Sequence, residues 1–159
     1  MLVFASPMIL AELAAACEQA AFAAVVSEAS ATLSAMNDEN KRTFQARLAS
    51  LKAREGWADA DYAAKATPYV KDAATTALDD GNKQLLAKVP QLGSGQVVEV
   101  AGLAGGPDLT ARRCAMLEEL RGLMGKVVEN TQAKWAHMLG KLDAALAASA
   151  SVQAKAAAQ

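Results

Sequence analysis

The sequence has few large apolar side chains, and this scarcity limits how a core can be built. Its 159 residues include only 3 Phe, 2 Trp and 2 Tyr, although 53% of the residues are hydrophobic, because alanine is abundant. Alanine buries little apolar surface, so helices must approach closely to form a core, and we expect an oligomer interface to add stability. A chain of this length predicts one domain.

The chain also lacks an excess of charge of either sign. Its net charge is −1 at pH 7, which gives it no electrostatic preference for nucleic acid. Residues 1–24 are apolar but contain no Lys or Arg and include Glu12 and Glu18, which argues against a signal peptide and against an uncharged membrane span of about 20 residues. We therefore expect no integral membrane span and no nucleic-acid partner.

The chain has two cysteines and one histidine, so few side chains of these types could form a metal or redox site. Cys17 and Cys114 lie far apart in the sequence among apolar residues, which favours buried free thiols over a disulfide. We therefore predict a reduced, cytoplasmic protein whose melting temperature does not change when reductant is added. His137 has Lys134 and Lys141 as helical neighbours, so we interpret it as a surface or interface histidine, with a tertiary Cys–His pair as the open alternative. We expect no metal, no cofactor and no catalytic residue, and hence no enzyme.

Two helices are predicted in the first third of the chain from apolar residues spaced by threes and fours. Ser6-Pro7 is typical of a helix start, so the first helix is expected over Pro7–Met36. Asn37-Asp38 predicts a break, and a second helix then runs over residues 41–55, ending before Gly56.

Acidic and basic residues are segregated along these two predicted helices. Residues 1–40 contain five acids and no base, whereas residues 41–54 contain five bases and no acid, namely Lys41, Arg42, Arg47, Lys52 and Arg54. This pattern favours exposed ion pairs across a helical hairpin, each contributing under about 1 kcal/mol. The alternative is a basic helix that binds an acidic partner.

A third helix is predicted to reach Lys88 and to be ended by Pro90, with Gly81 inside it. Thr67-Pro68 either ends a short preceding helix or starts the third one. Residues 90–107 are predicted to form a glycine-rich loop, with a docking, hinge or purely connecting role, and its apolar centre at residues 96–100 could form a short strand. The loop has no phosphate-binding motif.

The longest helix is predicted from Thr110 to about Ala148, with large side chains close to a heptad spacing. It would span about 60 Å at 1.5 Å per residue, more than a core of this size needs. Gly125 predicts either a kink or a close helix crossing. Residues 147–159 form a low-complexity, alanine-rich tail that frays or extends the helix.

These patterns predict an all-α fold, an elongated antiparallel bundle of about four helices with a Gly-rich loop before a long C-terminal helix. The predicted domain covers residues 1–146 and the tail covers residues 147–159. We expect a non-enzymatic protein–protein interaction or assembly subunit, oligomeric or part of a larger complex. Its candidate interaction residues are the five bases of residues 41–54 together with Leu117, Met124, Trp135 and Met138.

The alternative function is a surface coat. The composition and the tail rich in Gln, Ala and Lys are similar to those of polyester-granule phasins, a resemblance of composition without a shared motif. It implies a protein that lays amphipathic helices on a hydrophobic granule or lipid surface. Two features argue against the surface-coating role: the polar faces of the helices are not markedly basic, and few large apolar side chains could anchor them in such a surface.

Overall fold

The protein is represented by a computed structural model that describes residues 17–95 and 107–158. The regular elements of these residues are helices: α1 Gln19–Glu55, a 3-10 turn Asp59–Asp61, α2 Tyr62–Val70, α3 Ala73–Leu86, α4 Val89–Gly93 and α5 Pro107–Ala157. The predicted all-α fold and the long C-terminal helix are confirmed.

The predicted break at Asn37-Asp38 was wrong, because α1 continues through both residues. Side chains bond within the helix here, with Asn40 Nδ2 donating to the carbonyl of Met36 at 2.8 Å. Burial of Phe44, Leu48 and Leu51 further along favours continuation over a local break signal. The predicted start at Pro7 lies outside the described residues.

The end of α1 follows the predicted glycine signal. Gly56 has a φ of 63°, a left-handed conformation that glycine adopts without steric cost. The backbone N–H of Trp57 donates to the carbonyl of Lys52 at 3.1 Å, which satisfies one of the last carbonyls of the helix.

The middle of the chain differs from prediction at its two prolines. Pro68 lies inside α2, and the chain leaves helical geometry at Lys71. α3 is continuous through Gly81, as predicted, but it ends at Leu86. Pro90 stands in the first turn of α4, where a missing N–H costs nothing, so the predicted loop begins with a helical turn. The possible strand at residues 96–100 lies outside the described residues.

The chain forms two compact units, and both long helices contribute to each. Unit 1 comprises Met1–Ala31 and Gln84–Val127, and unit 2 comprises Thr32–Lys83 and Val128–Gln159. The predicted tail is helical through Ala157 as the end of α5.

Unit 1 contains a disulfide between Cys17 and Cys114, whose Cα atoms are 5.1 Å apart. The predicted free thiols were therefore wrong: the sequence separation of 97 residues hid the fact that the two positions meet. Gly95 caps α4 with a φ of 59° and lies against the ring of Phe22. Further buried side chains of this unit are Leu117, Leu120, Leu123, Met124 and Val127.

Unit 2 has a core of seven buried residues, Phe44, Leu48, Leu51, Trp57, Ala66, Met138 and Leu142. Hydrogen bonds between α1 and α5 follow rising residue numbers in both helices: Trp135 donates to Asn37, Arg47 to Asp143, and Gln153 to the carbonyl of Arg54. In this unit the two long helices therefore run parallel. The return pass is made by α2 and α3. α3 runs antiparallel to α5, because Asp72, Asp79 and Asn82 contact Lys141, Lys134 and Thr131 in that order.

Candidate functional site

Polar side chains join α3 to α5 in unit 2. Lys134 Nζ donates to both carboxylate oxygens of Asp79, at 2.7 and 2.8 Å. One turn further along α3, Asn82 donates from Nδ2 to Thr131 Oγ1 at 3.2 Å and accepts from Asn130 Nδ2 at 3.0 Å. Since Thr75 is the residue of α3 that is buried, polar contacts hold this helix in place more than apolar packing does.

Asp72 fixes the start of α3. Its Oδ1 accepts from the backbone N–H of Thr75, and its own N–H donates to Thr75 Oγ1, both at 2.9 Å, a reciprocal capping arrangement. The other carboxylate oxygen contacts Lys141 Nζ at 2.6 Å and His137 Nε2 at 2.7 Å. His137, predicted at a surface or interface, thus lies against a carboxylate of its own unit.

This surrounding holds the pKa of Asp72 well below its ordinary value. The largest cause is the hydrogen bond from the Lys141 ammonium, followed by the backbone N–H of Thr75 and the hydrogen bond with His137. All three favour the ionised carboxylate. The ionised Asp72 carboxylate therefore contributes to the structure at neutral pH.

A cleft of about 370 Å³ lies where α1, α2, α3 and α5 meet in unit 2. It combines five polar side chains with three apolar ones. The lining residues are Asn37, Val70, Asp79, Asn82, Thr131, Lys134, Trp135 and Met138.

Hydrogen bonds between helices hold the polar wall of this cleft. Trp135 Nε1 donates to Asn37 Oδ1 at 2.8 Å, and the Trp135 ring system packs on Phe44 in an edge-to-face arrangement with centroids 6.3 Å apart. The Lys134–Asp79 pair places one positive and one negative charge in the wall. The lining is therefore electrically neutral at pH 7 and arranged before any ligand arrives.

The five predicted basic residues have different surroundings. Arg47 pairs with Asp143 at 2.6 Å, Lys52 pairs with Asp59, and Arg54 donates to the carbonyl of Leu146 at 3.3 Å. Lys41 and Arg42 are exposed on α1. The predicted hairpin of an acidic and a basic helix was wrong, because Glu28, Asp38 and Glu39 lie on the same helix, α1, as the five bases.

Three of the four predicted apolar interaction residues are buried inside their units. Leu117 and Met124 lie in unit 1 and Met138 in the core of unit 2, all less than a tenth exposed. Trp135 is half-buried and lines the cleft beside Met138. The structure thus brings Trp135 and Met138 together, and their role in binding stays a prediction.

Gly125 does not mark a close helix crossing. A Cβ at this position would meet no atom within 4 Å. At Gly81 the nearest atom to such a Cβ would be the side-chain nitrogen of Asn130, at 3.6 Å, so a side chain and not a backbone approaches there.

Sequence reasoning did not select Asn37, Asp79 or Asn82 as site residues. The available signal was polar residues at helical spacing on two helices: Asp72, Asp79 and Asn82 on α3 and its cap, and Asn130, Lys134, His137 and Lys141 on α5. Such a face is ordinarily solvated, so only the packing of α3 on α5 reveals that the two rows meet.

Comparison with protein-family models, with curated proteins and with solved structures gives no match to this chain. Over residues 17–95 and 107–158, the helices include none that is both long and apolar enough to cross a membrane. Within the same ranges, no group of three or more His, Cys, Asp or Glu side chains could hold a metal ion.

Proposed function

We propose that this chain is a non-enzymatic assembly subunit that binds protein, first of all further copies of itself. The observation that carries the proposal is the small core of unit 2, where seven buried residues support segments of two long helices. Units with so little buried apolar surface commonly gain stability from oligomerisation.

The end of α5 supports a second copy as the partner. Met138, Leu142 and Ala145 face the core, and the same helical spacing continues to Val152, which is 66% exposed. Gln153 donates to the carbonyl of Arg54 beside the end of α1. The apolar stripe formed by Met138, Leu142, Ala145 and Val152 on α5 therefore continues where α1 ends. Residues 147–157 carry one charge, at Lys155, and many alanines, so two copies meet here with little repulsion or steric hindrance.

Lys41 and Arg42 are a second contact surface within this proposal. Both side chains are exposed, and the contacts described above for Arg47, Lys52 and Arg54 do not involve them. An acidic segment of a partner would complement them, and such rim charges affect association rate and salt dependence more than affinity.

Light scattering coupled to size exclusion at several protein concentrations tests the assembly. We expect a multimer whose fraction rises with concentration. Val152→Asp should raise the dissociation constant at least about tenfold, equivalent to about 1.4 kcal/mol. A compact monomer at every concentration would contradict self-assembly.

Ala154→Asp is the matched control for this variant. It places the same charge on the same exposed helix end, about 200° around the axis from Val152. We expect its dissociation constant to stay within about threefold of the parent value. Equal weakening by both variants would mean that charge on the tail, and not the stripe at Val152, sets the affinity.

The surface-coating role remains the alternative. It would use the same exposed stripe, but the large side chains Leu117, Leu120 and Leu142 are buried, so coating would require the helices to open onto the apolar phase. Retention of a monomer on a hydrophobic surface at high salt would favour coating over assembly.

We also propose that the protein works in an oxidising compartment. The cytoplasm was expected from free thiols, and the Cys17–Cys114 disulfide removes that reason. Disulfides persist in oxidising surroundings and are rare in the cytosol. Thiol labelling of the protein isolated without reductant tests this: labelling of both cysteines in the native source would contradict it.

A further inference from the structure

The cleft between α1, α2, α3 and α5 is separate from the surfaces of the proposed assembly, because neither Val152 nor the exposed bases line it. Its lining has the character of a ligand site. Pockets between the helices of a bundle bind small molecules when an apolar wall faces a few fixed polar groups. Here Val70, Trp135 and Met138 supply the apolar wall.

The charges of the cleft select against charged ligands. Lys134 and Asp79 are bonded to each other through both carboxylate oxygens. An anion would have to compete with Asp79 for Lys134, and a cation with Lys134 for Asp79. A ligand without net or separated charges can bind while the pair stays intact.

The hydrogen-bonding groups of the cleft suit hydroxyls. Asn37 uses its Oδ1 to accept the indole proton of Trp135, so its amide N–H groups serve as donors. The oxygens of Asp79 each accept one bond from Lys134 and have further lone pairs, so they can accept hydroxyl protons. A ligand with hydroxyls along one edge and C–H groups on one face matches both walls.

We infer that this cleft binds an uncharged pyranose sugar of one or two rings, with its C–H face on the wall of Val70, Trp135 and Met138 and its hydroxyls bonded to Asp79 and Asn37. A volume of about 370 Å³ is near the lower end of small-molecule sites, which range from about 300 to 1,000 Å³, and suits this size of ligand.

Saturation-transfer difference NMR on the full chain tests the inference, because it detects weak ligands. The probes are D-glucose, D-mannose, N-acetyl-D-glucosamine and maltose, each at about 20 mM, where a dissociation constant of about 1 mM gives nearly full occupancy. We expect transfer to the ring protons of at least one probe. No transfer to any of the four overturns the inference.

Two charged probes test the ligand class. L-leucine carries separated charges, and adenosine monophosphate is an anion. Transfer to either of these in the absence of transfer to the sugars would show a charged-ligand site and overturn the assignment of an uncharged sugar.

A pair of substitutions locates the binding. Val70→Trp fills the cleft from an exposed position that makes no polar contact, and Val152→Trp adds the same side chain at an exposed valine outside the lining. We expect the sugar signal to fall at least about fivefold in the first variant and to persist in the second. Loss or persistence in both variants overturns the location.

A measurement on the unmodified protein covers the case in which Val70→Trp fails to fold. Sugar addition should shift the methyl resonances of Val70 and Met138 in a carbon–proton spectrum and leave those of Val152 in place. Shifts confined to Val152, or absent from Val70 and Met138, contradict binding in the cleft.

Discussion

At the scale of single residues, backbone conformation decides which glycines tolerate a side chain. Gly95 has a φ of 59°, and a Cβ there would lie 3.2 Å from the ring of Phe22 and 2.8 Å from Gln19 Oε1. Gly125 lies inside α5 with open space around it. The two positions therefore respond to alanine in opposite directions.

Gly95→Ala is expected to destabilise the protein by about 1 to 2 kcal/mol, because it strains the left-handed cap of α4 and displaces Phe22. Gly125→Ala should stabilise it by up to about 1 kcal/mol through helix propensity. Urea unfolding of both variants measures the two changes. Equal effects of the same sign would contradict this account of Gly95.

The depressed pKa of Asp72 predicts how stability depends on pH. A carboxyl whose folded pKa lies below its unfolded value of 3.8 adds stability above that unfolded value and loses it as the pH falls towards the folded pKa. Asp72→Asn should therefore lower the urea midpoint at pH 7 and differ less from the parent below about pH 3.

Asp80→Asn is the control for this pH series. Asp80 forms an exposed pair with Lys83, three residues along α3, at 3.1 Å, and such a pair contributes little. A pH dependence of Asp80→Asn as large as that of Asp72→Asn would show that general charge, and not the cap and its contacts with Lys141 and His137, causes the effect.

At the scale of the elements, the helices of unit 2 are held by different forces. α1 and α5 share the apolar core, whereas α3 contacts α5 through Asp72, Asp79 and Asn82. Segments with little apolar burial open at lower free energy than core helices. This places the most easily displaced wall of the cleft on α3.

The disulfide ties Cys17, just before α1, to Cys114 in the first turns of α5, and we expect its reduction to destabilise unit 1. A cross-link across 97 residues should contribute about 3 kcal/mol, within the range typical of disulfides and below the chain-entropy limit of about 5 kcal/mol for a loop of this length. Reductant should lower the melting temperature by roughly 5 to 10 °C. This reverses the expectation from the sequence that reductant has no effect.

The double variant Cys17→Ser, Cys114→Ser provides the control for calorimetry with reductant. Its melting temperature should match that of the reduced parent and should not respond to reductant. A parent protein that melts at the same temperature with and without reductant would contradict a stabilising disulfide.

At the scale of the whole molecule, stability should depend on protein concentration if self-association supplements the small core of unit 2. Binding that occurs only in the folded state raises the melting temperature as concentration rises. We expect an increase over a concentration range of about a hundredfold, and a weaker one in Val152→Asp. A constant melting temperature would show that each chain is stable without a second copy.

What the sequence determined by itself is the helical character of the chain and several helix limits. Apolar spacing by threes and fours predicted the helices, Gly56 marked the end of α1, and α3 continued through Gly81 as expected, because these depend on neighbours within one or two turns. The break expected at Asn37 failed because the burial of later residues outweighed a local signal.

Only the tertiary structure decided which distant residues meet. In unit 2, the parallel course of α1 and α5 and the cleft that joins Asn37 to Asp79 and Trp135 depend on the return pass of α2 and α3. In unit 1, the disulfide joins Cys17 and Cys114, which are 97 residues apart in the sequence. A polar row on a helix looks the same in sequence whether water or another helix faces it. In this protein the apolar core pairs α1 with α5, and the polar contacts of α3 place its row against that of α5.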